Sequence, residues 1–150
     1  MDPFWRFTSS QAFHHLWNSQ ALWRYYCCYK GYQVFVGDPT SPTQARRTWT
    51  NLIPHHSVRI AATIYKIDSW PGASLFLMVD GVNAASQYFD SSNGGSSDFC
   101  GNPSPIPDSV NTNYNDLVIN VDIAVPHTTA SLALSFVSNL QGTRGAWGIR

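Results

Sequence analysis

The chain has 150 residues, no net charge, 12% charged residues and 14% aromatic residues. About 25% charged residues is typical of soluble domains; here all nine acids are Asp, and Lys30 and Lys66 are the two lysines. Low charge with many aromatics excludes a disordered chain, and zero net charge excludes the basic field that attracts nucleic acid. No apolar run reaches the roughly 18 residues of a membrane span. Scarce Glu and Lys disfavour helical bundles, so we expect one compact β-rich domain.

The first 32 residues are rich in aromatic side chains and have no clear period. So much apolar surface is not left in water, and it packs either on the chain's own core or into another molecule. We predict an N-terminal arm over 1–32 and a single domain over 33–150. The aromatic residues that we expect to contribute to assembly are Phe4, Trp5, Phe7, Phe13, Trp17 and Trp23.

Alternating apolar and polar residues predict the strands that follow. The strand candidates are 33–36, 56–67, 74–80, 82–89, 117–125, 129–138 and 146–150. Turns and loops are predicted between them, with 37–43 a turn or loop and Trp70-Pro71-Gly72 joining two partner strands. Strands separated by turns, without a βαβ pattern, predict an all-β fold, an antiparallel β-sandwich of the jelly-roll kind.

Six short segments together resemble a known family. In chain order they are His56-Ser57-Val58-Arg59-Ile60, Ile67-Asp68-Ser69-Trp70, Val79-Asp80-Gly81, Cys100-Gly101, Pro126-His127-Thr128 and Trp147-Gly148-Ile149-Arg150. Over about residues 54–150 this set resembles the module repeated in large extracellular surface proteins of ciliates and other aquatic protists. The resemblance implies an extracellular β-sandwich used in cell-surface or fibrous material. The family pattern has acids where this chain has Pro71 and Ala146, which would degrade a cation site built from them.

Three cysteines, Cys27, Cys28 and Cys100, form no Cys-x-x-Cys pair of the kind that binds zinc. Adjacent strand residues point in opposite directions, so only one of Cys27 and Cys28 easily reaches Cys100. We predict a disulfide between Cys28 and Cys100; a Cys27–Cys100 pair and three buried free thiols are the alternatives.

The low-charge composition rich in Ser, Asn and Pro favours an extracellular location.

Two groups of residues suggest metal binding. Asp68 and Asp80 end strands that we expect to be neighbours, so with a loop carbonyl they could begin a calcium site, although aspartates also cap turns. His55, His56 and His127 precede two long strands and either converge on zinc or form local hydrogen bonds. Calcium is the one cofactor that we carry forward.

The sequence lacks the usual catalytic signatures. It has no G-x-S-x-G motif, no cysteine in a protease-like context and no Glu for a glycosidase pair. We predict that the chain is not an enzyme.

Hydroxyl residues beside prolines are typical of O-glycosylation. Prolines could also carry sugars if the source hydroxylates them, and plain extended loops are the simpler interpretation. The candidate positions are Pro39, Thr40, Ser41, Pro42, Thr43 and Ser104.

These observations predict a structural subunit of an extracellular fibril or surface coat. Copies of the chain would join head-to-tail into a helical polymer through the N-terminal arm and low-charge strand faces. The alternative is a lectin-like module that binds glycans, with calcium as an aid and with Trp49, Trp70 and the N-terminal tryptophans as stacking surfaces. An exposed aromatic platform would favour glycan binding, and buried aromatics would favour assembly.

Overall fold

The computed structural model describes residues 18–19, 33–36, 42–90, 92–93, 116–141 and 145–150, and every regular element among them is a β-strand. The strands are β1 (Asn18–Ser19), β2 (Gln33–Val36), β3 (Thr43–Trp49), β4 (Ser57–Asp68), β5 (Ala73–Val79), β6 (Val82–Phe89), β7 (Leu117–Pro126), β8 (Leu132–Ser138) and β9 (Gly145–Ile149).

The strands form two sheets. One sheet has the order β1-β3-β8-β5-β6, and the other has the order β2-β9-β4-β7. Every strand pair is antiparallel. The chain crosses from one sheet to the other between β3 and β4, again between β4 and β5, and repeatedly after β6. This is an all-β antiparallel sandwich, as the sequence predicted.

The core lies between the sheets and follows the period-2 rule of strands. In β8 the buried residues alternate with half-buried ones, and β5 has the same pattern. Leu134, Phe136 and Leu77 from one sheet pack in one cluster with Ile60 and Ile64 from the other. Each such side chain contributes about 1.5–3 kcal/mol when fully buried, so these alternating rows hold the two sheets together.

Two sequence predictions need correction. The Trp70-Pro71-Gly72 turn does not join partner strands, because β4 and β5 lie in different sheets and the turn carries the chain across the core. The strand β3 was missed because its sequence is polar, Thr-Gln-Ala-Arg-Arg-Thr-Trp. Its buried residues are the small Thr43 and Ala45, which give a weak hydrophobic signal.

Strand β9 brings the C-terminal Trp-Gly-Ile-Arg motif against the Ile-Asp-Ser-Trp motif at the end of β4. It pairs with β4 so that Trp147 lies opposite Lys66 and Gly145 opposite Asp68. The Trp70 indole Nε1 donates to the Ala146 carbonyl at 3.0 Å. A Cβ on Gly145 would come within 2.9 Å of the Trp70 ring and 2.8 Å of the Ser69 carbonyl. The two motifs therefore lie side by side because the strands that carry them, β4 and β9, pair in this register.

The second buried tryptophan ties the two sheets together. Trp147 belongs to the four-stranded sheet, and its Nε1 donates to the Thr43 hydroxyl of β3, in the other sheet, at 3.0 Å. Both partners are buried, with Thr43 only 2% exposed. A hydrogen bond between buried groups is costly to remove because water cannot replace the lost partner.

We predict that Thr43→Val lowers the free energy of unfolding by about 1–3 kcal/mol, since it removes the acceptor from a buried indole N–H without changing side-chain shape. Thr48→Val is the matched control on the exposed side of the same strand and should change stability by less than about 0.5 kcal/mol. Denaturant unfolding curves of both variants measure this difference. Equal effects would contradict the assignment.

Candidate functional site

The most unusual surface of the sandwich is the strand β6 at the edge of the five-stranded sheet. Seven of its eight residues are exposed, and only Phe89 is buried. Val82 is 70% exposed and Tyr88 is 58% exposed. The strand sequence, Val-Asn-Ala-Ala-Ser-Gln-Tyr-Phe, contains no charged residue. Within the described ranges nothing pairs with its outer side. In general, the unpaired N–H and C=O groups of such an edge can template pairing with another strand.

The geometry of β6 is regular along most of its length. A register shift between Leu77 and Met78 places one extra residue, Ala84, in the β6 side of the ladder. The shift lies near the hairpin turn, and pairing from Ala85 to Phe89 continues without interruption. Proteins commonly protect an edge with Lys, Pro or a bulge. Here the bulge protects the turn end of β6 and leaves the remainder regular.

The hairpin turn before β6 has two residues with positive φ. Asp80 has φ 51° and Gly81 has φ 81°, the conformation of the two-residue turns that match the twist of paired strands. The Asp80 carboxylate is held on both oxygens. Oδ1 accepts from the Ala133 N–H at 2.7 Å, and Oδ2 lies 2.9 Å from the His127 Nε2.

A chain of imidazole contacts extends from this turn. His127 Nδ1 lies 2.6 Å from His55 Nε2, and His55 Nδ1 lies 2.6 Å from the Ile53 carbonyl oxygen. The two rings are nearly parallel, at 10° with centroids 4.9 Å apart. His127 is only 7% exposed. The sequence analysis left open whether His55, His56 and His127 converge. His55 and His127 meet because β4 begins where its antiparallel partner β7 ends. The exposed His56 contributes its carbonyl oxygen to the His127 N–H at 3.1 Å.

The opposite end of the sandwich holds a buried lysine. Lys66 is 1% exposed, and its Nζ donates to the Asp68 carbonyl oxygen at 2.5 Å. Asp116 Oδ1 accepts from the Asp68 N–H at 2.9 Å and so stabilises that residue at φ 57°. Burial lowers the pKa of Lys66, while the charges of Asp116 and Asp68 act in the opposite direction.

The sequence analysis did not single out Lys66 and Asp116, although the signal for Lys66 was present. Lys66 shares the inward register of β4 with Ile60 and Ile64, so alternation alone places an ammonium in the interior. Asp116 lies directly before the long apolar strand β7. No periodic pattern in the sequence indicated that it would be buried.

The two carboxylates proposed for calcium do not meet. Asp68 ends β4 at one end of the sandwich, and Asp80 follows β5 at the other. The seven residues of β5 at about 3.3 Å each separate the ends by roughly 23 Å. In the described part of the chain no group of three or more His, Cys, Asp or Glu side chains is arranged to hold a metal ion.

The glycosylation candidates are divided by the structure. Thr43 is buried and its hydroxyl accepts from Trp147, which corrects its interpretation as a sugar acceptor. Pro42 is exposed. The candidates Pro39, Thr40, Ser41 and Ser104 lie outside the described residues.

Two further predictions fall outside the described part of the chain. Cys28 and Cys100 of the predicted disulfide lie outside it. So do the six aromatic residues predicted for assembly, Phe4, Trp5, Phe7, Phe13, Trp17 and Trp23.

Two tryptophans proposed as sugar-stacking surfaces have other roles. Trp70 is fully buried and packs edge-on against Phe89, with ring centroids 5.2 Å apart. Trp49 is half-buried against the core, and the Arg47 guanidinium lies 4.9 Å above its ring. Neither ring presents a free face of the kind that a sugar needs.

Comparison with known proteins identifies no family for this chain. No family model matches it, and no curated protein matches it. A solved structure of dimeric latent PorU from Porphyromonas gingivalis is 12% identical over 87% of this chain and 13% of that chain, with a TM-score of 0.43. The chain thus spans about an eighth of the PorU chain. Among the described residues no helix has the length and apolarity that a membrane crossing requires.

We predict that the free energy of unfolding rises with pH as the pH approaches the ordinary lysine range near about 10.4. The folded chain releases the Lys66 proton at lower pH than the unfolded chain does, so the unfolded state binds more protons in that window. Lys66→Met should abolish the rise. At neutral pH it should also cost about 3–5 kcal/mol, because Asp68 and Asp116 lose their positive neighbour.

The control is Arg59→Met, which removes the exposed ion pair between Arg59 and Asp122. Exposed pairs stabilise a fold little, so this variant should keep the alkaline rise and unfold close to the original chain. Urea unfolding at a series of pH values compares the three proteins. An unchanged alkaline rise in Lys66→Met would contradict the assignment.

Proposed function

We propose that this chain is a non-enzymatic structural subunit of an extracellular fibril or surface coat, and that β6 is a strand-accepting edge in its assembly. The observation that carries the proposal is the exposed, uncharged and mostly regular β6 edge. A soluble monomer is expected to protect such an edge, since it templates pairing with other chains. The zero net charge of the chain removes long-range repulsion between copies.

The sheet order supports a head-to-tail contact. In the five-stranded sheet, β1 and β6 lie on opposite edges. The predicted arm over 1–32 contains β1, which pairs with β3 of the same chain. Residues 1–17 of that arm, with their aromatic side chains, directly precede β1 in the sequence. A segment that begins beside the β1 edge of one subunit and adds to the β6 edge of the next would continue one sheet from copy to copy. Because the two surfaces differ, such a contact is heterologous and repeats without closing unless a rotation brings it round.

Glycan binding is the weaker candidate. The tryptophans that motivated it and lie in the described ranges, Trp49 and Trp70, are engaged in packing. Tyr88 is an exposed ring, but it lies on β6 itself. An exposed ring on the β6 edge fits a contact between subunits as well as it fits a sugar-binding surface. Tyr88 therefore does not favour glycan binding over assembly.

Ala85→Lys tests this proposal. Ala85 is exposed and lies opposite the buried Leu77 in the ladder, so its side chain is on the inner face of the edge strand. In the monomer a lysine there can reach water past the free edge, but an added strand would close that route and enclose the charge, which is strongly unfavourable. Assembly, measured by electron microscopy and sedimentation velocity, should be lost or weakened at least tenfold.

The matched control is Ala130→Lys, which adds the same charge at an exposed position between β7 and β8. It should assemble like the original chain. If both variants assemble normally, the β6 edge is not the contact; if the original chain remains monomeric at high concentration, the structural role itself is contradicted.

A further inference from the structure

The contacts of His55 and His127 determine how many protons the two rings hold. His55 Nδ1 faces the carbonyl oxygen of Ile53 at 2.6 Å. A carbonyl oxygen can only accept, so this ring nitrogen must carry a hydrogen. If His55 is neutral, its Nε2 then has a lone pair and no hydrogen.

The other end of the chain of contacts imposes the same requirement on His127. The Thr129 hydroxyl donates its one hydrogen to the Ser131 carbonyl oxygen at 2.8 Å. Its oxygen can therefore only accept from His127 Nε2, which lies 3.2 Å away. The same Nε2 is 2.9 Å from the Asp80 carboxylate. Because the Thr129 oxygen and the Asp80 carboxylate both act as acceptors here, His127 Nε2 must carry a hydrogen.

One contact remains, the 2.6 Å approach between His55 Nε2 and His127 Nδ1. Two lone pairs would repel at this distance, so one hydrogen must lie between them. The four ring nitrogens then carry three hydrogens, whereas two neutral imidazoles carry two.

We propose that His55 and His127 share one extra proton, and that the resulting cation, balanced by Asp80, is a clamp on the β5–β6 hairpin. The clamp joins three separate parts of the fold: the segment before β4, the segment after β7 and the hairpin turn. The clamp depends only on contacts within one chain and does not require assembly.

The charged surroundings of the pair are simple. Asp80 is the charged side chain that touches it in the described part of the chain, and its second oxygen is already bound to the Ala133 N–H. His56 offers only its carbonyl oxygen to this cluster. Losing the shared proton leaves a lone-pair contact between the rings and an unbalanced carboxylate in the turn.

Nitrogen-15 NMR of the histidine rings in the intact chain, in solution or in the assembled solid, tests the proposal directly. The expected result at pH 6–7 is three protonated nitrogens and one unprotonated nitrogen across the two rings, with a coupling between His55 Nε2 and His127 Nδ1. One unprotonated nitrogen in each ring would overturn it. The result needs no variant and so does not depend on how a substitution folds.

Variant unfolding gives a second readout. His55→Gln removes the ring that bridges His127 and the Ile53 carbonyl oxygen, so it should lower the urea midpoint of unfolding. The control His56→Gln changes an exposed neighbouring histidine and should leave the midpoint close to that of the original chain. Equal midpoints for the two variants would contradict the clamp.

Discussion

The interaction on which this fold most depends is the packing of the Trp70 indole against the backbone of β9. Its N–H is bound to the Ala146 carbonyl oxygen, and the ring occupies the space left by the missing side chain of Gly145. This contact places the end of β4 against β9 in one register. Trp147 then faces inward and reaches Thr43 in the other sheet. Two indoles thereby link three strands from distant parts of the sequence.

That constraint explains why polar groups are tolerated inside. Lys66 is directly opposite Trp147 in the pairing, so the register that buries the tryptophan also buries the ammonium. The Asp68 carbonyl oxygen accepts from it, and Asp116 binds the Asp68 N–H. Buried charges persist only with such partners.

The two ends of the sandwich have different characters. One end is fixed by packed tryptophans and a buried lysine, whereas the other is held by imidazoles, a carboxylate and a tight turn. The exposed β6 strand begins at the second end, directly after Asp80 and Gly81. Its lack of charge agrees with the composition of the whole chain. The described strands thus have a buried end and, at the other end, the start of an exposed edge strand.

Sequence periodicity predicted most of the strands because their inward rows are large and apolar, as in β7 and β8. It missed β3, whose inward residues are small or hydroxylated, and it mistook the turn after Trp70 for a hairpin because local turn signals do not report sheet membership. It left open whether His55 and His127 converge, and they meet because β4 begins where its antiparallel partner β7 ends. It paired Asp68 with Asp80 wrongly, because that inference assumed that β4 and β5 were neighbours.

Hydrogen exchange of the Trp70 and Trp147 indole N–H groups tests the central claim most directly. If these contacts hold the fold together, both protons exchange only through global unfolding, and their protection free energy equals that of the most protected backbone amides of β4 and β8. Exchange of either indole through a local opening several kcal/mol lower, with the core strands still protected, would contradict the account.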